Sequence, residues 1–287
     1  MNEAEGLEEI FVRLRRRWGI HVPDTQRSTI AVFLRDRLRG ASWSSYVERL
    51  EADGAERQAL IDVATVGETY FFRDEAQFST LRHEILPRFR RGAARMPLLW
   101  SAACSTGEEA LSLLLVLADA WGVPLEACRG HVIASDVNRV ALDAFASGEF
   151  RASSLREDGQ LFHPLLLRHG ARTGGRIAVT HGIVDLIPRR QINLITDDFG
   201  ALPPAIDVIF LRNMMIYVPI EERSTIYRKV VARLSPDGVL ILGKAELPFF
   251  SDSEATLAEI GGSFAFVRRT SALWPVTEHR DEWHARV

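Results

Sequence analysis

Two acidic clusters follow apolar runs of the kind that form buried strands. Glu108 and Glu109 come after Ser101-Ala-Ala-Cys-Ser-Thr-Gly107, and Asp136 ends the run His-Val-Ile-Ala-Ser-Asp. In an open α/β sheet the ligand binds beyond the carboxyl ends of the strands, where these residues lie. Two carboxylates would repel a pyrophosphate, and the pattern G-x-G-x-x-G is absent, so we predict a cationic or ammonium-bearing ligand. The alternative is that both glutamates only complement the helix dipole.

Asp136, and the polar residues after a third apolar segment, indicate what kind of ligand could bind. Asp136 is placed to accept hydrogen bonds from both hydroxyls of a ribose, or else to cap the next helix. Arg212 and Asn213 follow the run Ile-Asp-Val-Ile-Phe-Leu, where buried polar groups need partners. The signature Asn/Asp-Pro-Pro-Tyr/Phe of base and amide methylases is absent at this point. The sequence therefore predicts a site formed by the ends of at least three strands.

A third candidate segment runs from Thr65 to Asp74 and contains Tyr70-Phe-Phe-Arg73. Consecutive aromatic residues are typical of a core. Arg73 beside them is more informative, because a buried guanidinium requires an anionic or carbonyl partner.

Composition limits the class of protein. The 287 residues carry 35 basic and 38 acidic side chains, a net charge of −3, which argues against a globally basic nucleic-acid binder. Residues 10–39 differ from this average, since they hold eight arginines against two aspartates, a net charge of +6. With 47% hydrophobic residues, no 18-residue apolar run and an acidic start, we expect a cytoplasmic globular protein without membrane insertion.

The two cysteines, Cys104 and Cys128, are too few for a disulfide framework or a four-ligand zinc site, so we predict inert thiols and no metal site.

Apolar periodicity divides the chain into two domains. Residues 1–90 have helical spacing throughout, and the Arg/Gly/Ala/Pro stretch at 91–97 is the best linker. Residues 98–270 alternate strands and helices, which predicts an α/β fold with a doubly wound, mostly parallel sheet. Within it, residues 172–196 resemble a small antiparallel insert with strands near 176–180 and 191–195. The last segment, 271–287, is expected to be a weakly ordered tail.

Five motifs in order resemble the chemotaxis receptor methyltransferases, the CheR family, from about residue 5 to residue 270. They are Thr69-Tyr-Phe-Phe-Arg73, Trp100-Ser-Ala-Ala-Cys-Ser-Thr-Gly-Glu-Glu109, Ser135-Asp136, Arg212-Asn-Met-Met-Ile-Tyr217 and Leu234-Ser-Pro-Asp-Gly-Val-Leu240. Each motif alone has low specificity, whereas their order and spacing together are highly specific. The resemblance implies a class I S-adenosylmethionine-dependent methyltransferase with a Rossmann-like sheet, an all-α N-terminal domain and a small antiparallel β-subdomain.

The resemblance also implies roles for individual residues. Thr69 and Arg73 would approach S-adenosylmethionine from the N-terminal domain, Glu109 with Glu108 would lie at its methionine end, and Asp136 would bind its ribose. The cofactor-binding set that it implies is Gly67, Thr69, Arg73, Ala102, Glu108, Glu109, Asp136, Val137, Asp198, Phe199, Leu211, Arg212 and Asn213. Within this set, Asp198 and Phe199 would contact the adenine, and Leu211, Arg212 and Asn213 would line the methionine and sulfonium region.

Three positions depart from the family pattern. Gly67 replaces a frequent Asn, Ala110-Leu111 replaces the usual Pro-Tyr, and Leu211 stands where Cys is common. These departures bear on the predicted individual contacts more than on the prediction that S-adenosylmethionine is the cofactor.

The implied reaction transfers a methyl group to a glutamate carboxylate of a receptor and yields S-adenosylhomocysteine. The pKa of a glutamate is about 4.3, so the acceptor is ionised at neutral pH and needs no general base. Arg73 and Tyr217 are the candidates for orienting that carboxylate. The β-subdomain would dock on the receptor or on its C-terminal tether.

A second contact with the receptor is predicted on the basic helix that starts near Pro23. We expect Arg27, Arg35, Arg37 and Arg39 to attract the glutamate-lined helices of methyl-accepting chemoreceptors. The alternative is a solvated arginine face. We expect a monomer and no nucleic-acid partner. Two other functions stay open, namely a non-catalytic cofactor-binding scaffold and a methyltransferase acting on another acceptor, including receptor-like proteins that control surface behaviour.

Overall fold

The computed structural model describes residues 1–65, 67–92, 95–250 and 252–274. Its N-terminal domain consists of the helices α1 (Glu3–Trp18), α2 (Asp24–Leu38), α3 (Trp43–Ala52) and α4 (Gly54–Ala64). The side chains of Asn2, Ser42 and Asp53 cap three of these helices, as is usual at N-caps. Apolar residues at helical spacing, such as Ile10 and Leu34, form a separate core for this domain.

The next helical stretch belongs to the second domain. It comprises α5 (Glu75–Thr80), a π-helical turn (Leu81–Ile85) and α6 (Leu86–Gly92). Its apolar residues, including Phe78 and Phe89, lie in the core of the second domain. The change of domain therefore comes before residue 71, earlier than the predicted linker at 91–97. Residues 93 and 94 of that linker lie outside the described residues, and Arg91 and Gly92 are part of α6.

A mostly parallel sheet of seven strands forms the second domain, which confirms the predicted α/β class. In chain order its strands are β1 (Leu99–Ala102), β2 (Val132–Asp136), β6 (Arg189–Gln191), β7 (Ile206–Leu211), β8 (Leu234–Leu242), β9 (Ala255–Ile260) and β10 (Ser263–Arg268). Their spatial order is β6-β2-β1-β7-β8-β10-β9. Within this sheet only β10 runs in the opposite direction, so its pairings with β8 and β9 are antiparallel. The central strands are buried along their length, as expected for a sheet covered on both faces.

Helices cover both faces of this sheet. The main ones are α7 (Glu108–Trp121), α8 (Arg139–Ala146) and α10 (Ile220–Val231), and α9 (His163–Leu167) is a short helix of the insert region. α7 packs in one apolar core and α10 in the other. Because β1, β2 and β7 share one direction, the three loops that follow them leave the sheet at one edge.

The small insert is an antiparallel sheet of three strands, but its bounds differ from the prediction. The strands are β3 (Glu149–Arg151), β4 (Gly170–Thr173) and β5 (Arg176–Val179), in the order β3-β5-β4. The insert thus begins at Glu149. The predicted second strand at 191–195 is wrong, because residues 189–191 pair in parallel with β2 as an edge strand of the main sheet. The outer edge of β2 has backbone N–H and C=O groups that need partners, and residues 189–191 supply them. No local sequence pattern indicates this pairing.

The start of the predicted tail packs against the second domain. The Trp274 side chain is 3% exposed, and its indole N–H donates to the Asp237 carbonyl at 3.0 Å. The expectation of a weakly ordered extension is therefore wrong for residues 271–274, while 275–287, with Trp283, lie outside the described residues. Among the residues that are described, no helix has both the length and the apolar character to cross a bilayer.

Candidate active site

A cleft of about 1190 Å³, counting its open mouth, lies where the carboxyl ends of β1, β2 and β7 meet the helical domain. The register explains its position. Ala102 of β1 pairs with Ser135 of β2 on one side and with Leu211 of β7 on the other. The residues that follow, among them Asp136 and Arg212, therefore enter the cleft at the same level.

The turn after β1 forms the floor of the cleft. Its backbone is left-handed at Ala103 (φ 61°), Ser105 (φ 50°) and Gly107 (φ 89°). A Cβ at Gly107 would stand 2.2 Å from the ring of Phe145, so only glycine fits there. The turn aims the Ser105 N–H at the Asp136 carboxylate (2.7 Å) and leaves the Ser105 hydroxyl buried without a partner among the described residues.

Asp136 lines the cleft and is 9% exposed. Its two carboxylate oxygens accept the N–H groups of Ser105 (2.7 Å) and Asn138 (2.8 Å). Burial raises the pKa of Asp136, and these N–H donors oppose the rise. The cap of α8 is Asn138, whose side chain accepts the Ala141 N–H, so the capping alternative for Asp136 is wrong. Each carboxylate oxygen keeps a further lone pair for a ligand hydroxyl.

The two adjacent glutamates have different roles. Glu109 lines the cleft, where its oxygens accept the Ser101 hydroxyl (2.6 Å) and the Arg212 Nε–H (2.8 Å). Glu108 is not among the lining residues, and it accepts the hydroxyls of Thr106 (2.6 Å) and Ser154 (2.8 Å). Burial raises the pKa of Glu108. Its predicted contact with the cofactor does not agree with this position, because the side chain anchors the first turn of α7 to the insert.

Arg212 connects the end of β7 to the segment before α5. Its Nη1 donates to the Arg73 carbonyl and to Gln77 Oε1, both at 2.7 Å, and Asp74 lies 3.6 Å away. Together with Glu109, these contacts fill most of its donor capacity. Its Nη2 is buried and has no partner among the described residues. Such a group requires an acceptor, which a bound ligand can supply.

Arg73 differs from Arg212 in having no strong partner among the residues that the structure describes. It is half-buried and lines the cleft, its Nη1 lies 3.5 Å from the Glu68 carbonyl, and its guanidinium lies over the Tyr70 ring. Arg73 was expected to be a buried guanidinium with an anionic or carbonyl partner. It is instead a half-buried cation that faces the cleft. The expected aromatic core is confirmed for Phe71 and Phe72, which are fully buried.

Thr69, Val137, Asn213 and Tyr217 also line the cleft, as predicted. Gly67 adjoins this wall, since a Cβ added there would lie 3.3 Å from the Ser105 hydroxyl.

Backbone strain is concentrated around the cleft. Besides Ala103 and Ser105, the non-glycine residues Phe72 (φ 53°), Asp74 (φ 58°) and Asn213 (φ 57°) are left-handed. Each costs of order 1–3 kcal/mol and persists only where its surroundings impose it. Ala103, Ser105 and Asn213 line the cleft, and Phe72 and Asp74 flank the lining residue Arg73, whereas two other left-handed residues, Arg39 (φ 47°) and Phe199 (φ 62°), do not line it.

Besides Glu108, four predicted cofactor contacts lie outside the cleft lining. Ala102 and Leu211 are strand residues buried in the core under α10. The Phe199 ring packs against Trp100 beneath the sheet, and Asp198 accepts the Gly200 N–H within its own turn. The predicted adenine contact by Asp198 and Phe199 is therefore wrong, and the nearby lining residues are Asn193, Leu194 and Ile195. The chain turns away from the cleft after Ile195, which sequence spacing alone did not reveal.

One wall of the cleft comes from the turn between α1 and α2, which the sequence did not indicate. Gly19, Ile20 and His21 line it. The Asn193 amide donates to the Trp18 carbonyl at 2.7 Å and ties this turn to the second domain. A glycine after a helix is such a common terminator that it carries no sign of a site.

Cys104 also lines the cleft. Burial raises its pKa, so it stays a neutral thiol, in keeping with the inert role expected of it.

Three of the four predicted docking arginines on α2 have acidic partners. Arg35 pairs with Glu3 at 2.6 Å, Arg27 with Asp24 at 3.2 Å, and Arg37 with the buried Glu56 at 3.3 Å. Arg39 is exposed and has no ion pair within the described part of the chain. Counting residues 1–9, which fold back along α2, the first 39 residues carry eight arginines and six acidic side chains. The strong positive face predicted for α2 is thus largely neutralised.

A mostly parallel sheet with a carboxylate-rich cleft at the point where its strand order reverses is characteristic of an S-adenosylmethionine-dependent methyltransferase. Residues 67–259 match the family model described as "CheR methyltransferase, SAM binding domain", and the chain belongs to this family.

Curated relatives agree with this assignment. The chain is 34% identical to the chemotaxis protein methyltransferase of Salmonella typhimurium over 80% of each protein. It is 32% identical to chemotaxis protein methyltransferase 2 of Vibrio cholerae over 86% of this chain and 88% of that protein. The probable biofilm formation methyltransferase WspC of Pseudomonas aeruginosa is 30% identical over 90% of this chain but only 60% of its own length.

The residues present fit S-adenosylmethionine. The carboxylates of Asp136 and Glu109 suit a ligand with a ribose and an ammonium group, and they make the cleft favourable for a positive sulfonium. The buried, unpartnered Arg212 Nη2 and Ser105 hydroxyl are polar groups that a carboxylate-bearing ligand can satisfy. When bound, the cofactor supplies a methyl group carried on a positively charged sulfur.

Proposed function

We propose that this methyltransferase esterifies glutamate side chains of methyl-accepting chemoreceptors and releases S-adenosylhomocysteine. The observation that carries the proposal is the pairing of two features in one cleft. Carboxylates line it, and so do Arg73 and Tyr217. Within the described residues the Arg73 guanidinium has no ion pair and only a 3.5 Å contact with the Glu68 carbonyl, so it can meet an acceptor carboxylate. The named chemotaxis relatives support the choice of acceptor.

In this proposal the residues act by binding and alignment. A glutamate of pKa about 4.3 is already ionised at neutral pH, so no side chain has to remove a proton. Arg73 would bind the acceptor carboxylate by charge-assisted hydrogen bonds, and Tyr217 would donate to its second oxygen. The attraction between a carboxylate and a sulfonium weakens in the transition state, so alignment and exclusion of water should supply most of the rate.

Receptor docking is part of the proposal. Arg39, which directly follows α2, is the arginine best placed to attract an acidic helix, because Arg27, Arg35 and Arg37 already have acidic partners. The small sheet β3-β5-β4 is the proposed second contact with the receptor or its tether. The proposed place of action is the cytoplasm, and the proposed working unit is a monomer.

The test is transfer of radiolabelled methyl groups to membranes that carry candidate chemoreceptors, followed by treatment of the labelled product with mild base. We expect label on the receptor that base releases as methanol, since esters hydrolyse under these conditions and N-methyl groups do not. Base-stable label would point to another acceptor. Binding of S-adenosylhomocysteine without any transfer would favour the non-catalytic scaffold.

The relative named for biofilm formation suggests a second set of membranes for the same assay. Label found only on a receptor-like protein of a surface-growth pathway would keep the chemistry and change the pathway.

A further inference from the structure

A fully buried carboxylate lies behind the cleft without entering it. Glu246 is 0% exposed and is not among the residues that line the cleft. It belongs to the 3₁₀ helix Lys244–Phe249, which follows directly after β8. The methyl-transfer chemistry described above makes no use of it. An ionised group buried this deeply needs several hydrogen-bond donors to remain there.

Those donors are backbone groups of the loop after β7. Glu246 Oε1 accepts the Met215 N–H at 2.7 Å, and Oε2 accepts the Asn213 N–H at 2.8 Å. Oε2 also accepts the Gly243 N–H at 2.9 Å. Such charge-assisted bonds are about twice as strong as neutral ones. One carboxylate thus ties two N–H groups of the β7 loop to the end of β8.

The loop held in this way supplies much of the cleft wall. Residues 212, 213, 214, 216, 217 and 218 all line the cleft. Asn213 has a left-handed backbone (φ 57°), a conformation that needs an external restraint. The 3₁₀ turn Met215–Tyr217, which presents Tyr217, begins at the N–H group that Glu246 accepts. Removing this acceptor would release both the strained residue and the start of the turn.

Gly243 completes the arrangement. A Cβ at this position would stand 2.7 Å from Glu246 Oε2 and 3.0 Å from Asn213 Nδ2. The backbone of Gly243 is ordinary (φ −63°, ψ 147°), so alanine is not excluded by conformation. Any effect of alanine there would come from its contact with the carboxylate and with Asn213.

We propose that Glu246 is a positioning residue for methyl transfer, acting through the loop Asn213–Tyr217. Its carboxylate holds Asn213 and Tyr217 against the cleft, and it contributes to turnover beyond its contribution to stability. Glu246 touches neither the cofactor cleft nor its mouth, so it is not a catalytic residue.

Asp207 offers a matched control at the opposite end of β7. It is 1% exposed and also accepts several hydrogen bonds, from both Arg95 guanidinium nitrogens, the Leu98 N–H and the Ser235 hydroxyl. It is not among the residues that line the cleft. Replacing either acid by its amide keeps the volume and removes one charge in a buried network. The two acids differ in their position relative to the cleft, and Asp207 also has an ion pair with Arg95, whereas the donors described for Glu246 are backbone N–H groups.

The experiment compares Glu246→Gln, Gly243→Ala and Asp207→Asn with the wild type. Three measurements are made: amide hydrogen exchange of a peptide covering residues 212–218, the dissociation constant of S-adenosylhomocysteine, and methyl transfer per folded molecule well below the melting temperature. We expect the amides of that peptide to exchange faster in Glu246→Gln and Gly243→Ala than in the wild type. These two are called the cleft-side variants. Their turnover should fall by at least about tenfold, since a displacement near 1 Å can cost about a hundredfold.

S-adenosylhomocysteine should bind about threefold more weakly to the two cleft-side variants, because Asn213 shares the cleft wall. Asp207→Asn should lower the melting temperature and leave exchange of this peptide, cofactor affinity and turnover unchanged.

Unchanged exchange at residues 212–218 in Gly243→Ala and Glu246→Gln, with normal turnover per folded molecule, would overturn the proposal. If Glu246→Gln does not fold, Gly243→Ala decides alone. The exchange and binding measurements need no acceptor, so they remain decisive even if the receptor assay fails for the wild type and the proposed acceptor is wrong.

Discussion

The two ends of strand β7 both hold a buried charged cluster, but the clusters differ in completeness. At the amino end, Asp207 accepts both guanidinium nitrogens of Arg95 at 2.7 Å, and its remaining acceptor sites meet the Leu98 N–H and the Ser235 hydroxyl. At the carboxyl end, Arg212 keeps a buried nitrogen that has no partner in the described part of the chain, and Asn213 is strained. A cluster whose hydrogen-bonding groups all have partners stabilises the fold. A cluster beside a cleft that keeps an unpartnered polar group and a strained backbone can bind a ligand.

The first prediction contrasts the arginines associated with these two ends. Arg73→Ala should lower methyl transfer by about a hundredfold, the usual cost of removing one donor to a reacting group, and leave the free energy of unfolding within about 0.5 kcal/mol. Arg95→Ala should do the reverse, because it leaves the buried Asp207 without its cation. We expect it to lose about 1–2 kcal/mol, a modest figure since Arg95 is half-exposed.

Denaturant titration and the methyl-transfer assay on the same preparations measure both effects. Equal turnover in the wild type and Arg73→Ala would refute the role of Arg73. A loss of turnover in folded Arg95→Ala would show that the two ends are not separate in function.

The second prediction uses the pKa of Asp136. In the proposed cofactor site its ionised form would accept hydrogen bonds from ribose hydroxyls, so affinity should be full above its pKa and fall as pH drops through it. Because burial raises this pKa, S-adenosylhomocysteine binding should begin to weaken at a pH above the ordinary aspartate range. Asp136→Asn should bind at least about tenfold more weakly at neutral pH, the cost of a charge-assisted hydrogen bond.

Calorimetry over a pH series tests this prediction. The asparagine variant should lack the acid limb that Asp136 produces in the wild type. An identical acid limb in both proteins would mean that another group controls it.

The third and smallest prediction concerns receptor docking by α2. Arg39→Gln should raise the KM for receptor membranes about threefold at low salt, with little effect in high salt, because an exposed charge is screened. Arg35→Gln should have a smaller effect, since the charge of Arg35 is already offset by Glu3. Initial rates at two salt concentrations provide the measurement, and equal, salt-independent KM values for all three proteins would rule out docking through α2.

The sequence predicted the helices and strands more completely than it predicted the residues that line the cleft. The apolar runs that the sequence predicted as buried strands, such as the one that ends in Asp136 and the one before Arg212, are β2 and β7. The short strand β6 was predicted in the wrong sheet, because three residues carry no pattern that separates a parallel edge strand from an antiparallel one. β3 and β4 were not predicted, because segments of three or four residues carry too little periodicity to identify a strand.

The predicted site was most accurate where a residue directly follows a strand. Asp136, Arg212 and Asn213 all reach the cleft, since strand register alone puts them at one edge. Residues farther from a strand end were less predictable. Asp198 was placed in the cleft and lies outside it, while His21 and Glu246 were not predicted at all. Their positions depend on how distant segments pack, which local spacing does not contain.

Sequence by itself determined the α/β class, the family and the carboxylates at the strand ends, because these depend on local periodicity and on short motifs. Tertiary structure decided which charges remain free. Glu3 and Glu56 neutralise arginines of α2, while Arg73 is left facing the cleft. It also decided that Glu246, from the end of β8, holds the loop after β7. The reason is physical: the effect of a charge or a hydrogen-bonding group depends on its partners, and those come from distant parts of the chain.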